Sequence, residues 1–175
     1  MADIAAGAGG SVQVIDAAML DALTARANAS PRLRQHRNLH RSYADPCQRL
    51  LNAIEPGSYL RPKRDVMVPR IKLLVVLRGR FALVKFDDGG RIVSVIPFAA
   101  GGTQNAASAV EVAPDCWSTT VSLASGSVLL EVRPGPFDPA HLGDFAPWAP
   151  EAGTRAAESY LAELEQSVRI RLAID

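Results

Sequence analysis

The chain has 175 residues, 48% of them hydrophobic and 21% charged, with 19 Lys and Arg against 18 Asp and Glu for a net charge of +1. That is the size and balance of one globular domain with a real core, and near-neutrality gives no electrostatic ground for a nucleic-acid partner or an anionic membrane surface. No run approaches the roughly 20 apolar residues a bilayer span needs, and the opening "MADIAAGAGGSVQVIDAAML" lacks the basic and apolar blocks of a secretory signal, so a cytoplasmic protein with no membrane partner is expected. Cys47 and Cys116 stand outside any short-spacing pair, which argues against a disulfide framework or zinc knuckle; both read as small buried hydrophobes.

In chain order, the Ala- and Gly-rich first ten residues read as a loose terminus. Asp16 then N-caps "AAMLDALTARANA", whose Met19, Leu20 and Leu23 fall at helical spacing before Asn28 and Pro31 stop it. From Pro31 the texture becomes short β-type runs cut by Pro, Gly and Asp: "CQRLLNAIE", "SYLRP", "KLLVVLRG", "RFALVKF", "RIVSVIPF", "SAVEVA", "WSTTVSLA" and "SVLLEVR". In "KFDDGGRIV" the Asp-Gly and Gly-Gly steps supply the positive φ of a tight hairpin, and "LASGSV" repeats that signal more weakly. The proline-rich "PGPFDPAHLGDFAPWAPEAG", with His141, is expected to wrap the surface. "APEAGTRAAESYLAELEQSVRIRL" closes the chain as a helix with Pro150 near its first turn and Leu161, Leu164 and Val168 on one face. The expected organisation is a tail and helix over 1–30, a β-barrel over 31–150 and a helix over 151–175, with no internal repeat.

Chemistry-bearing candidates gather in "PGSYLRPKRDVMVPRIKLLVVLRGR". Residues i and i+2 on a strand share a face, so Lys63 and Asp65 should project together, with Lys72 from the next strand. Arg49, Asn52, Tyr59 and Arg61 are polar groups among apolar neighbours on strands beside the same place. His36 and His40 in "HRNLH" are four apart on a stretch with no apolar helical stripe; structural hydrogen bonding is one reading, and His40 lining a pocket is the other. Arg32, Arg34, Arg37 and Arg41 form a basic cluster suited either to a phosphate or to a solvated or dimer-contact face. Trp117 is either a core anchor or a stacking platform. No phosphate-binding glycine loop and no nucleophile elbow is present.

Between Pro31 and Pro150 the chain resembles the cupin superfamily, most closely the small WbuC-type cupins associated with bacterial O-antigen and polysaccharide gene clusters. The resemblance is carried by "SPRLRQHRNLH", "PCQRLLNAIEPGSYLRP", "VVLRGR" with "FDDGG", and "VEVAPDCW" with "SGSVLLEVRPGPFDP". It implies an all-β double-stranded β-helix, a jelly-roll barrel with a short helix at each end. It also implies a metal motif of glycine, five residues, His-x-His, a short spacer, Glu, six residues and glycine. Here Gly57 and Gly79 keep the frame, but Lys63, Asp65 and Lys72 stand at the ligand positions. At the second motif Ser118 follows Trp117 where a histidine is expected.

Protonated amines have no lone pair for a cation, so no metal and no cofactor is expected. The Lys63–Asp65–Lys72 set carries the same net +1 as three histidines, one glutamate and a divalent ion, so it could replace the metal and draw an anion into the barrel. Alternatively these long side chains turn outward and the pocket has decayed. The leading functional expectation is a small anionic or sugar-derived ligand held in the barrel, by a homodimer, in a polysaccharide-related setting implied by the resemblance. The alternatives are a sugar-phosphate or sugar-nucleotide isomerase or epimerase, a metal-dependent cupin enzyme with an altered site, and a non-catalytic structural or regulatory dimer.

Overall fold

A computed structural model describes residues 12–140 and 142–174 of the chain. The terminus expected to be loose and His141 lie outside the described residues. Helix α1 (Ala17–Ala29) is followed by β1 (Arg34–Asn38), β2 (Cys47–Ile54), β3 (Lys63–Arg64), β4 (Lys72–Arg78), β5 (Arg80–Phe86) and β6 (Ile92–Ala99). Then come β7 (Ala109–Val112), β8 (Ser118–Ser122), β9 (Val128–Pro134), β10 (Asp144–Phe145) and helix α2 (Arg155–Leu172).

The strands form two antiparallel five-stranded sheets, ordered β1-β2-β9-β4-β7 and β10-β3-β8-β5-β6. From β2 to β10 every connection except β5–β6 crosses from one sheet to the other. That alternation closes two sheets into a jelly roll. The exception is the "DDGG" hairpin, where Gly90 sits at φ +84 with the Trp148 ring 2.7 Å from where a Cβ would stand.

Three apolar layers follow from strand alternation. Between the sheets lie Ile54, Leu74, Val76, Phe81, Leu83, Phe98, Val112 and Leu129. On the outer face of the first sheet, Leu20, Leu23 and Ala27 of α1 cover Leu51, Ala53 and Val128. On the outer face of the second, Leu164 and Val168 of α2 cover Ala82, Val84, Phe86 and Val121. Strand β5 is thus buried on both faces, which is why "RFALVKF" reads as an apolar run with little alternation.

The Asp16 cap is present, its Oδ1 accepting from the Met19 N–H at 2.8 Å. Helix α2 starts later than expected, because Thr154 Oγ1 accepts from the Ala157 N–H and caps it, leaving Pro150 four residues ahead of the cap. "SYLRP" is not a strand: Pro62 has no N–H for a ladder, and pairing starts only at Lys63. "LASGSV" is no hairpin, since β8 and β9 belong to different sheets and the turn crosses the barrel.

Strand β1 gave no signal because it is an edge strand of polar, largely exposed residues, and β10 is two residues long. The proline-rich segment is not a surface wrap: Phe137, Pro139 and Leu142 border the cavity, and Ala146 and Ala149 are buried under α2. Cys47, expected inside, is exposed at the outward-facing start of β2, and Cys116 is half-buried; both thiols are free.

Candidate functional site

A cavity of about 480 Å³ opens between the sheets at the end where β4 starts and β9 finishes. Strand register arranges its walls in rows. In the outermost row Lys63 pairs with Ser118 across β3 and β8, and Gln48 pairs with Arg133 across β2 and β9. Lys72 is one residue beyond the Leu73–Val132 pair, which sets it beside Arg133. The next row inward holds Leu50 and Leu74 on either side of Glu131, and Leu83 paired with Thr120. Below these lie Asn52, Ile54 and Leu129, resting on the apolar layer that contains Phe81 and Phe98.

The outer row is charged and coupled. Lys72 Nζ lies 2.9 Å from Asp65 Oδ2, and Lys63 Nζ lies 3.8 Å from Asp65 Oδ1 while also donating to the Leu142 carbonyl. Asp65 itself sits behind the row, just past β3, and is buried. Burial alone would push its carboxyl up, but the Lys72 and Lys63 charges outweigh that and hold it below the usual carboxylate range. Burial pushes the Lys63 amine down, with Asp65 pulling the other way.

Gly143 makes room for this cluster. It adopts φ +102, and a Cβ there would stand 2.6 Å from Asp65 Oδ1 and 3.0 Å from the Arg64 carbonyl oxygen.

Two more charges belong to the cluster and escaped the sequence reading. Glu131 Oε2 accepts from Asn52 Nδ2 at 3.0 Å, and Glu131 Oε1 lies 3.5 Å from Arg133 Nε. Their only signal was "LLEVR", where a glutamate and an arginine two apart on a strand share one face. Lys63, Lys72 and Arg133 set against Asp65 and Glu131 leave one net positive charge.

One wall is aromatic. The Arg133 guanidinium lies 4.7 Å over the Phe137 ring, Phe137 meets Tyr43 edge-on at 5.1 Å, and Tyr43 lies 6.3 Å from His40. His40 is buried, with Nδ1 within 3.0 Å of the Arg49 N–H and 2.8 Å of the Arg49 carbonyl. That carbonyl already accepts from the Leu39 N–H. The tautomer that satisfies both backbone groups therefore has Nδ1 accepting and Nε2 protonated. His40 Nε2, Arg61 Nε and Arg133 Nε, all on residues that line the cavity, are buried without a hydrogen-bond partner.

Of the residues singled out from sequence, Lys63, Lys72, Ser118, His40, Asn52 and Arg61 border the cavity, as do Arg32, Arg34 and His36 of the basic stretch, and Asp65 bridges the two lysines from behind. Three do not border it. Arg49 alternates with Gln48 and Leu50, so it faces outward and pairs with Asp45 at 3.2 Å. Tyr59 turns toward α2, donating to the Pro150 carbonyl and meeting Tyr160 edge-on. Trp117, neighbour of inward-facing Ser118, points the other way, donating to Asp88 Oδ1 at 3.0 Å under the Arg64 guanidinium.

Arg61 is largely committed to the fold through the Ala146 carbonyl and the Phe145 ring. Arg34 likewise donates to the Tyr59 carbonyl and Ser58 Oγ. Among the described residues no three His, Cys, Asp or Glu side chains converge as a metal cage. Two amines and a hydroxyl at the expected ligand points do not fit a transition metal.

Fold and cavity together define a two-sheet jelly-roll barrel with a charged row of side chains at one end of the space between the sheets. Residues 15–97 match a protein-family model described as "Domain of unknown function (DUF6016)". No curated protein matches the chain at a significant level.

Solved structures similar to it include a Shewanella oneidensis protein at 13% identity, covering 77% of this chain and 82% of that one, with a TM-score of 0.49. A cupin 2 domain-containing protein from Halorhodospira halophila is 17% identical over 78% of this chain and 83% of that one, TM-score 0.46. A cupin superfamily protein from Desulfitobacterium hafniense is 13% identical over 58% and 76%, TM-score 0.44. The jelly-roll assignment rests on the strand order and register. Among the described residues no helix is long and apolar enough to cross a membrane.

Proposed function

We propose that the protein is a binding barrel for a small organic anion, working without a metal at the cupin position. The observation that carries this reading is the set of N–H groups His40 Nε2, Arg61 Nε and Arg133 Nε, buried without a hydrogen-bond partner on residues that line a cavity with Lys63 and Lys72. Buried polar atoms without hydrogen-bond partners are costly and uncommon, and an anion is the ligand that accepts from such groups. The cavity volume suits a small molecule rather than a peptide. A sugar acid in a polysaccharide setting is the ligand that the resemblance implies.

The test is calorimetric titration with glucuronate, hexanoate and inorganic phosphate, on the parent and on Arg133→Met. Saturable binding of at least one anion, weakened tenfold or more in Arg133→Met, is the expected result; no binding by any anion refutes it. We also propose that the chain acts as a homodimer, since β1, β7, β6 and β10 are open sheet edges and β6 exposes Val93 and Ile96. A monomer in sedimentation at micromolar concentration refutes that part.

Acid–base isomerisation of a sugar phosphate is the second reading. It is favoured by Lys63 and His40 bordering one cavity, and its readout is solvent-hydrogen exchange into the ligand.

A further inference from the structure

We infer that the ligand is a monocarboxylate with a hydrocarbon body, its carboxylate at the Lys72–Arg133 row and its body over Leu50, Leu74, Leu83 and Leu129. This rests on the anion-binding reading and adds the ligand's chemical class. The row order is the first support. Moving inward from the charged row, four wall strands present a leucine: Leu50 on β2, Leu74 on β4, Leu83 on β5 and, past Glu131, Leu129 on β9. A ligand anchored by its charge at the outer row therefore lays the rest of itself on aliphatic surface.

The second support is that the one acidic group below the charged row is occupied, although His36, Asn38 and Thr120 also line the cavity there. Asn52 and Glu131 bond each other, and Thr119 Oγ1 donates to the Leu60 carbonyl at 2.6 Å. A sugar ring brings a hydroxyl on most of its carbons and would set some of them against the leucines, at a cost for each group left unpaired. Methylene groups lose nothing there and gain by leaving water.

Charge count is the third support. Lys63, Lys72 and Arg133 outnumber Asp65 and Glu131, and Arg32, Arg34 and Arg61 add to the positive lining, so a carboxylate is favoured there over a neutral head group.

The experiment is a homologous series of butanoate, hexanoate and octanoate, titrated into the full chain beside 1-octanol, glucuronate and inorganic phosphate. Burying each added methylene should tighten binding about fourfold. Octanol should bind at least tenfold more weakly than octanoate. In Leu50→Asn, whose leucine is only half-buried, the slope with chain length should flatten while melting temperature stays within a few degrees of the parent. If that variant fails to fold, the parent's slope alone decides.

A flat series, with glucuronate or phosphate bound as tightly as hexanoate, overturns the hydrocarbon body and leaves the anion reading standing. Octanol binding as tightly as octanoate overturns the anion reading. Silence from every probe overturns both.

Discussion

Replacing Asp65 with alanine isolates the ionic cluster. Its carboxylate is buried between Lys72 Nζ at 2.9 Å and Lys63 Nζ at 3.8 Å, with Arg133 on the neighbouring strand. The Lys72 and Asp65 side chains are 11% and 9% exposed, so water replaces little of the lost interaction. Removing one member of such a buried set costs about 3 kcal/mol, because like charges are left unpaired in low dielectric. For a domain of this size that corresponds to a fall of about 6–12 °C in melting temperature.

Replacing all three together, as Lys63→Met, Asp65→Leu and Lys72→Met, removes the unpaired charge along with the pair and should cost under about 1 kcal/mol. Urea denaturation of the parent, the single and the triple variant measures all three. The acid limb gives a second reading. Asp65's folded pKa lies below its ordinary 3.8, so its contribution is complete above about pH 4 and is lost as pH falls through the folded value. Asp65→Ala should lack that limb. Lys63 has the same slope in a different window: its folded pKa lies below 10.5, so stability again rises with pH as the folded amine sheds its proton ahead of the unfolded one. An Asp65→Ala protein within about 0.5 kcal/mol of the parent, or a triple variant as unstable as the single, refutes the cluster.

Gly143→Ala should destabilise by about 1–3 kcal/mol in the same denaturation assay, since the added Cβ meets Asp65 Oδ1 and the φ of +102 disfavours any side chain. Tyr160 is pushed up to about 12, mainly by burial and further by Tyr59. Spectrophotometric titration should therefore show one of the three tyrosines ionising near pH 12, with stability falling between pH 10 and 12 as the phenolate is forced out; three tyrosines titrating together near 10 would contradict the packing under α2. Protein purified without a metal-affinity tag should carry no stoichiometric Fe, Mn, Ni, Cu or Zn. Elemental analysis finding about one ion per chain, lost in Asp65→Ala, would overturn the assignment of the amines.

Periodicity, caps and turn residues by themselves determined the elements whose signals are local. Asp16 and its helix, the "DDGG" hairpin, and the apolar strands β2, β4, β5, β6 and β9 were legible because each needs only neighbouring residues to define it. The glycine frame around Lys63, Asp65 and Lys72 also marked where a site would lie. Tertiary structure decided what that frame could not. Arg49 and Asn52 are three apart on one strand and so face opposite sides, but which side is the cavity depends on α1 covering Leu51 and Ala53.

Glu131 and Arg133 join the site only because β9 is threaded between β2 and β4, a pairing between residues about 80 and 60 positions apart along the chain. The proline-rich segment has no periodicity, and its place as a cavity border and part of the α2 core comes from contacts with distant strands. Edge strand β1 carries polar residues on both faces and pairs only because β2 offers it a ladder. Local chemistry specified the elements, and long-range burial and register chose the faces.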